Sequence, residues 1–364
     1  MAACSSNSNS NSNGNGNGGP SGNPDAAAST DASADGSGSQ RLGDFSWKQE
    51  TTTEVDGTVT SIGGAGPNLV IAVAYSQKNN TYSAYASRDG GNTWPPITAI
   101  SPVPIPAVLY VVSSPGHAWV VSVDKNGVTT SLTHTTDGTT FDTFPVSASC
   151  SHSGIFSVGG TVLYAQISPS ANTLQLCKSS DAGKTWTVLP PTYPSASIGG
   201  SALPFSTDND LYLGNNTLPI LHFNGSAFDT IGQYPTDWIT GSAGRLNGLS
   251  IEDLYLARTG ALIYHSLDRA KTWTVAASDL DGGDGIAYLL GLAPGDALAT
   301  GLHNATRNAV VLRVQPDGSW KTVYKAVAPS SLPLMWSPNA HEVYAVGSLY
   351  NGNLFDSLII KGTR

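Results

Sequence analysis

The sequence predicts an all-β protein, a seven-bladed β-propeller built from four-stranded antiparallel blades. An aromatic residue ends a turn motif at a nearly constant interval, at positions 47, 94, 141, 186, 228, 273 and 320. The steps between these positions are 47, 47, 45, 42, 45 and 47 residues. Each interval also holds four short strand-like runs. A fixed period of this length with four strands per repeat is typical of propellers.

The stretch 107–144 shows how one repeat is built. Three apolar, β-branched runs are separated by a Ser-Pro-Gly break and by an Asp-Lys-Asn-Gly turn at 124–127. Glycine after asparagine supplies the positive φ that a hairpin turn needs. An Asp-Gly turn follows, and Phe141 begins the fourth strand. Four antiparallel strands in about 45 residues make one blade.

The two ends of the chain are predicted to share the last blade. After Trp320 there are three strand-like runs, at 332–336, 341–346 and 356–361, but no fourth. We expect the N-terminal segment near Trp47 to supply the missing strand. This joint leaves no open sheet edge.

The N-terminal residues differ in composition from the rest of the chain. Residues 5–19 are almost wholly Ser, Asn and Gly, which cannot bury enough apolar surface to fold. The sequence therefore predicts a disordered tether over 1–43 and one propeller domain over 44–364. Ala-Ala-Cys ending at Cys4 resembles the end of a bacterial lipoprotein signal, without the apolar region upstream. Cys4 is thus predicted to be lipidated, the alternative being a chance cysteine near the terminus.

Composition excludes several functions. Only 12% of residues are charged, the net charge is −9 and there is no basic run, so nucleic-acid binding is not expected. No apolar stretch is long enough to span a bilayer, which leaves a lipid anchor as the expected membrane contact. We expect a monomer at the bacterial cell surface or outside the cell. Cys150 and Cys177 are predicted either to form a disulfide or to remain two buried thiols.

The turn motif carries a family resemblance. Its most complete copy is Ser87-x-Asp89-x-Gly91-x-Thr93-Trp94, and it resembles the Asp-box, or BNR repeat, of sialidases and several other propeller families. We expect each Asp carboxylate to accept backbone N–H groups of its own turn and each Trp to pack between blades. The residues predicted to be structural in this way are Asp89, Asp137, Asp181, Asp268, Trp94, Trp186 and Trp273.

Ligands of propellers usually bind at the axial mouth, on the connections into each innermost strand and on the turns between the second and third strands. These connections are predicted near 51–57, 99–106, 146–153, 190–200, 232–244, 276–285 and 326–331. Polar and aromatic residues concentrate on the fifth and sixth blades. The predicted ligand-binding residues are Tyr193, Tyr234, Asp237, Trp238, Arg245, Arg258, His303 and Arg307.

Three interpretations of the run Asp279, Asp281 and Asp284 stay open. Alternating carboxylates resemble a short Ca²⁺ loop, although the glutamate that completes an EF-hand loop is absent, and no other cofactor is expected. The same residues can supply a carboxylate pair for glycoside hydrolysis, for which Asp237, Asp279 and Asp281 are the catalytic candidates. The third interpretation is an Asp/Gly-rich turn whose side chains cap their own backbone.

The Asp-box resemblance spans propellers with different functions. Sialidases use three arginines, a Tyr–Glu pair and an Asp; here the Arg-Ile-Pro signature is absent and only Glu54 is expected to face the mouth. Xyloglucanase-like enzymes use two such propellers, whereas this chain has one. The photosystem II assembly-factor type is a single seven-bladed propeller that binds a protein. The leading hypothesis is a surface-anchored, non-catalytic propeller that binds an extracellular glycan or protein, and the alternative is a glycoside hydrolase or polysaccharide lyase.

Overall fold

The structure is a computed structural model whose described residues are 43–50, 54–100, 102–151, 154–170, 173–194, 201–214, 220–235, 245–257, 261–281, 284–352 and 354–364. Within these ranges every regular element is a β-strand. None of the described residues forms a helix long and apolar enough to cross a membrane. Residues 1–42, which include Cys4 and all of the predicted tether except Gly43, lie outside the described residues.

Five separate antiparallel sheets of four strands follow one another along the described chain. In each sheet every strand after the first pairs with the strand that precedes it in the chain. The first sheet contains β2 (Thr58–Gly66), β3 (Leu69–Ser76), β4 (Thr81–Ser87) and β5 (Val103–Pro104). The second contains β6 (Val108–Ser114), β7 (His117–Val123), β8 (Thr129–Thr135) and β9 (Asp142–Pro145). The third contains β10 (Ile155–Gly159), β11 (Val162–Ile167), β12 (Thr173–Ser179) and β13 (Thr187–Pro194).

The fourth and fifth sheets have the shortest strands. The fourth contains β14 (Ser201–Ala202), β15 (Leu211–Gly214), β16 (Ile220–Phe223) and β17 (Phe228–Gly232). The fifth contains β18 (Arg245–Ser250), β19 (Asp253–Ala257), β20 (Ile263–Ser266) and β21 (Thr274–Ala276). These antiparallel four-stranded sheets are the blades of a β-propeller, so the predicted fold class is confirmed at that level.

The remaining strands form one seven-stranded sheet. This sheet contains two units of four strands, and the long strand β25 (Trp320–Asn339) belongs to both units. Its strands are β22 (Gly285–Ala293), β23 (Asp296–His303), β24 (Asn308–Val314), β25 (Trp320–Asn339), β26 (Glu342–Asn351), β27 (Leu354–Thr363) and β1 (Ser46–Glu50). The first half of β25 pairs with β24, from Trp320 to Pro329. Its second half pairs with β26, from Ser330 to Asn339. A loop was predicted at 326–331; it is wrong, because the chain passes there from one unit to the next without leaving extended structure.

The N-terminal strand closes the last unit, as the sequence predicted. β1 pairs antiparallel with β27, and Trp47 lies opposite Gly362. A Cβ at position 362 would lie 2.7 Å from the Trp47 ring, so only glycine leaves room for the indole. The β26 and β27 strands also pack against β2. The last unit therefore lies beside the first sheet.

Buried ionic contacts hold the chain ends together. Arg313 on β24 donates to both carboxylate oxygens of Asp296, at 2.8 and 3.0 Å, and both side chains are about 1% exposed. Arg313 also donates to Asp44 at 2.9 Å, and Arg364 donates to Asp296 at 2.6 Å. The Phe45 ring lies 4.3 Å from the Arg364 guanidinium. We call these five residues the end clasp, since they join the N-terminal segment to β23, β24 and the C-terminus.

The core lies between successive blades, and the aromatic turn residues enter it from the outer strands. Trp94 of the first sheet is fully buried against Tyr344 and Ile359 of the last unit. Trp320 is likewise buried against Tyr255 of the fifth sheet. Trp186 of the third sheet is half-buried against residues of the second. Each indole therefore fills the space between its own blade and the preceding one, which explains the regular aromatic spacing.

The turn aspartates bind their own turns. The Asp268 carboxylate accepts the backbone N–H groups of Lys271 and Thr272 and the Thr272 hydroxyl, the last at 2.6 Å. Those Thr272 hydrogen bonds lower the pKa of Asp268 to about 2. Equivalent carboxylate contacts hold the turns that contain Asp89, Asp137 and Asp181. These four aspartates are therefore engaged in the scaffold.

The cysteines at 150 and 177 form a disulfide, with Cα atoms 5.8 Å apart. The bond joins Cys150, in the connection that follows β9, to Cys177 on β12. It therefore attaches the segment that leaves the second sheet to the third sheet. Both residues are fully buried in the core between these sheets. Of the two alternatives that the sequence leaves open, the structure contains the disulfide.

Candidate functional site

A cleft opens between the β23–β24 turn and the β26–β27 turn, on the side where second and third strands connect. Its volume is about 520 Å³. We call it the Tyr350 cleft. It is lined by Leu302, Asn304, Arg307, Pro329, Ser330, Ser331, Ser348, Tyr350 and Phe355.

The β23–β24 turn is held by a buried carboxylate and by the start of the next blade. Asp284, which is 3% exposed, accepts the backbone N–H of Asn304 at 2.7 Å and that of Asp281 at 3.0 Å. On the other side of the turn, the Arg307 carbonyl accepts the N–H of Ser330 at 2.8 Å. Arg307 has a φ of 53°, a conformation unusual for a residue other than glycine. This backbone is therefore fixed, and the exposed Arg307 side chain emerges from a rigid base.

Two aromatic side chains form the opposite wall. Tyr350 is the last residue but one of β26 and is 49% exposed, and Phe355 is the second residue of β27 and is 39% exposed. Their ring centroids are 5.5 Å apart and their planes are inclined by 52°. The tight turn between them is made by Gly352, with a φ of 69°. The hairpin thus presents two inclined apolar faces to the cleft instead of burying them.

The floor of the cleft is hydroxylic. Ser330 and Ser348 are buried, and the Ser331 and Ser348 hydroxyls lie 2.9 Å apart. The Ser330 hydroxyl accepts the backbone N–H of Ala309. The lining as a whole is more apolar than polar. An arginine, a few polar groups and an aromatic wall together suit a ligand with an apolar side chain and hydrogen-bonding groups beside it.

The aspartates predicted as one site separate in the structure. Asp279 accepts the backbone N–H and the hydroxyl of Thr322, at 2.8 and 2.9 Å, on the first half of β25. It therefore binds an outer strand and is not grouped with Asp281 and Asp284. Its assignments to a metal loop and to a catalytic pair stay predictions. The physical reason for the separation is that the connection leaving β21 runs alongside Trp320 before it reaches β22.

Asp281 and Asp284 instead come together with His303. One ligand atom from each of the three lies within 4.8 Å of the others. Two carboxylates and an imidazole can hold a divalent cation. However, both Asp284 oxygens already accept backbone N–H groups, and only Asp281 of the three is exposed. The contacts of Asp284 therefore match the interpretation of these residues as a self-capping turn.

Two predicted aromatic ligands pack elsewhere. Tyr193 lies on β13, which extends through part of the predicted 190–200 connection, and its ring contacts Phe228 of the next sheet. Tyr234 packs against Leu256 and Tyr264. Each ring thus packs against a neighbouring sheet, and both predictions of ligand contact stay predictions.

Other predicted residues fall outside what the structure describes. Asp237, Trp238 and Arg258 are among the undescribed residues. Arg245 begins β18 and pairs with Ala257 through its backbone. Glu54, expected to face the mouth, has its carboxylate bound to the backbone N–H of Trp94, so it is engaged in the scaffold. Of the predicted ligand-binding set, Arg307 lines the Tyr350 cleft and His303 lies beside it.

The aromatic wall was missed by the sequence reasoning. Tyr350 and Phe355 flank Asn351-Gly352, and Asn-Gly between two strand-like runs is a strong hairpin signal. The spacing of two large apolar residues around such a turn predicts that both rings lie near the exposed tip.

Comparisons with known proteins agree on the fold. No protein-family model and no curated protein matches the chain. The chain is similar to the structure of YCF48 bound to D1 peptide, with a TM-score of 0.62 and 14% identity over 87% of this chain and 97% of that one. YCF48 from Cyanidioschyzon merolae gives a TM-score of 0.60 and 14% identity over 86% and 98% of the two chains.

A glycoside hydrolase is also similar. The GH74 xyloglucanase from Xanthomonas campestris matches with a TM-score of 0.54 and 13% identity, over 86% of this chain and 55% of the enzyme. The chain thus spans about half the length of that enzyme. Identities this low show shared architecture alone, and that architecture is the β-propeller.

Proposed function

We propose that this chain is a non-catalytic, surface-anchored, seven-bladed Asp-box propeller that binds a polypeptide segment of a partner protein in the Tyr350 cleft. The observation that carries this proposal is the pair of exposed aromatic rings facing Arg307 across a hydroxylic floor. Exposed aromatic side chains beside an arginine are the residues that most often dominate protein-binding energy.

The blade count rests on the strand pairing. The five separate sheets and the two units that share β25 add up to seven. The four turn aspartates bind their backbones in the way the Asp-box motif implies, which supports membership in that group of propellers.

The surface location rests on two observations. The buried Cys150–Cys177 disulfide suits an oxidising compartment outside the cytosol. Ala-Ala-Cys at Cys4, followed by a Ser/Asn/Gly-rich stretch, suits a lipid anchor on a flexible tether.

A polypeptide fits the cleft better than a glycan. A glycan site needs many free hydrogen-bonding side chains to satisfy sugar hydroxyls, whereas this lining exposes more apolar than polar surface. In addition, the Ser330 hydroxyl accepts a backbone N–H, and the Ser331 and Ser348 hydroxyls bond each other. A peptide segment places an apolar side chain between the two rings and a carbonyl or carboxylate at Arg307. YCF48, whose fold is similar over most of both chains, was solved with a peptide bound.

Selection of a random peptide library on the full-length protein tests the proposal. We expect enriched peptides that share an apolar residue, and we expect Phe355→Ala and Tyr350→Ala to weaken their binding by at least about tenfold, as for a central aromatic anchor. The matched control is Tyr82→Ala, since Tyr75 and Tyr82 form a similar inclined ring pair at the β3–β4 turn, with centroids 5.1 Å apart.

The other outcomes decide between function classes. Binding on a glycan array that Phe355→Ala abolishes would replace the peptide by a carbohydrate. Turnover of a polysaccharide or aryl glycoside that Asp281→Asn or Asp237→Asn removes would replace the binding role by hydrolysis. Peptide binding that neither Phe355→Ala nor Tyr350→Ala changes would move the site away from this cleft.

A further inference from the structure

Two histidines face each other on the second sheet, far in sequence from the Tyr350 cleft. His117 begins β7 and His134 lies on β8, and His117 Nδ1 is 3.0 Å from His134 Nε2. The two rings are nearly parallel, with an interplanar angle of 20°. His117 stacks on Trp119, and the His134 ring lies against the same indole at an interplanar angle of 31°. This indole is fully buried and donates to the carbonyl of Ala182. The indole therefore fixes the surface on which the imidazoles lie.

The surroundings of His134 disfavour the charged form of its imidazole. Burial lowers the pKa of His134 and the neighbouring His117 lowers it further, while Asp142 raises it and Lys184 lowers it. A neutral imidazole has a free lone pair, which is the form that binds a metal ion.

We propose that His117 and His134 form a dihistidine site for a divalent transition-metal ion, with Cu²⁺ as the preferred ion. Two nitrogens 3.0 Å apart, each about 2.0–2.1 Å from a metal, subtend an angle of about 95° at the ion. Right-angled nitrogen pairs belong to the tetragonal geometry of Cu²⁺ and Ni²⁺, whereas a tetrahedral Zn²⁺ site needs a wider pair. Water completes the coordination.

One neighbouring charge favours the binding of a cation at this site and another opposes it. Asp142 lies opposite His134 in the β8–β9 register, so its negative charge attracts a cation to this edge. Lys184 is the opposing charge, and its amino group lies 5.5 Å from the centre of the Phe144 ring. Removing Lys184 should therefore strengthen binding if the ion sits between the imidazoles.

Another histidine of the described chain provides a control. Both ring nitrogens of His222 face carboxylates, Asp210 at 2.7 Å and Asp229 at 2.9 Å. Its nitrogens are already engaged, yet it also stacks on an aromatic ring, that of Tyr212. His222→Gln thus removes a comparable histidine without touching the proposed site.

Titration of untagged full-length protein with Cu²⁺ at pH 7 tests the site. We expect one ion per chain, quenching of Trp119 fluorescence and an electron paramagnetic resonance spectrum with two nitrogen ligands. His117→Gln and His134→Gln should each weaken binding by at least about tenfold, and Lys184→Met should strengthen it. His222→Gln should leave the affinity unchanged.

His117, half-buried at the start of its strand, is the variant to use if His134→Gln does not fold. Copper binding that survives the His117→Gln substitution, or a spectrum without two nitrogens, would overturn the proposal. So would the absence of stoichiometric binding by the wild type.

Discussion

Asp268 shows what a single turn residue contributes. Its pKa falls from 3.8 to about 2 on folding because the folded turn donates hydrogen bonds to the charged carboxylate. A group whose pKa is lowered on folding stabilises the protein above its unfolded pKa, and this stabilisation is lost as pH falls through the folded value. The contribution of Asp268 is therefore complete above about pH 4 and disappears near pH 2.

We accordingly predict that Asp268→Asn lowers the melting temperature at pH 7 and that the difference from wild type vanishes near pH 2. Thermal unfolding, followed by circular dichroism between pH 7 and pH 2, measures this difference in melting temperature. Asp281→Asn, at an exposed aspartate outside such a turn, is the control. A melting-temperature difference that stays constant from pH 7 to pH 2 would show that the carboxylate charge is not what matters.

The tryptophans at the turn ends should differ in their contribution to stability. Trp94 is fully buried, whereas Trp186 at the equivalent position is half-buried. Trp94→Ala is expected to cost about 3–5 kcal/mol of unfolding free energy, the usual range for a buried aromatic, and Trp186→Ala to cost less. Urea unfolding measures both. Equal losses would mean that burial between blades is not the source of their contribution.

At the scale of elements, the disulfide should stabilise the third sheet's attachment. It closes a loop with a sequence separation of 27. For a loop of this size, chain entropy predicts that Cys150→Ala/Cys177→Ala lowers the unfolding free energy by roughly 3–4 kcal/mol. Reductant should reproduce this loss in the wild type and have no effect on the double variant. A reductant effect of equal size on both proteins would contradict the assignment.

Strands and turns were predictable where local chemistry dominates. The runs of the second repeat became β6 to β9 with small shifts, since alternating apolar residues and Asn-Gly turns act within a few positions. Residues 326–331 were misjudged because their extended conformation comes from pairing with two different neighbours, β24 and β26. That pairing is a property of the assembled sheets, so no local signal reports it.

The whole molecule depends on the end clasp. Asp296 is 1% exposed and binds both Arg313 and Arg364. Removing one partner of such a buried group costs about 3–5 kcal/mol because the remaining charges lose their compensation. Asp296→Asn should destabilise the protein by this amount and speed hydrogen exchange in β1.

Asp44→Asn is the matched control, since Asp44 binds the same arginine but its side chain is 87% exposed. We expect a loss of at most about 1 kcal/mol for this exposed pair. Rapid exchange in β1 of the wild type itself would contradict the role of the clasp in closing the ring.

The site was less predictable than the fold, because its residues come together only through packing between units of the whole molecule. Arg307 was predictable because it lies on a polar turn between a second and a third strand, on the face where ligands of propellers usually bind. The partners that make it a site, Tyr350 and Phe355, belong to the next unit and meet it only through the packing of β25 and β26. Conversely, Asp279 looked functional in sequence because its partner Thr322 lies 43 residues away.

The proposed function requires that a peptide binds in the Tyr350 cleft. Hydrogen–deuterium exchange of the full-length protein, with and without a peptide enriched by selection, tests it most directly. We predict slowed exchange in 303–308 and 348–356, with no change in the Asp268 turn at 266–273. Protection confined to other turns, or no protection while the peptide is bound, would contradict it.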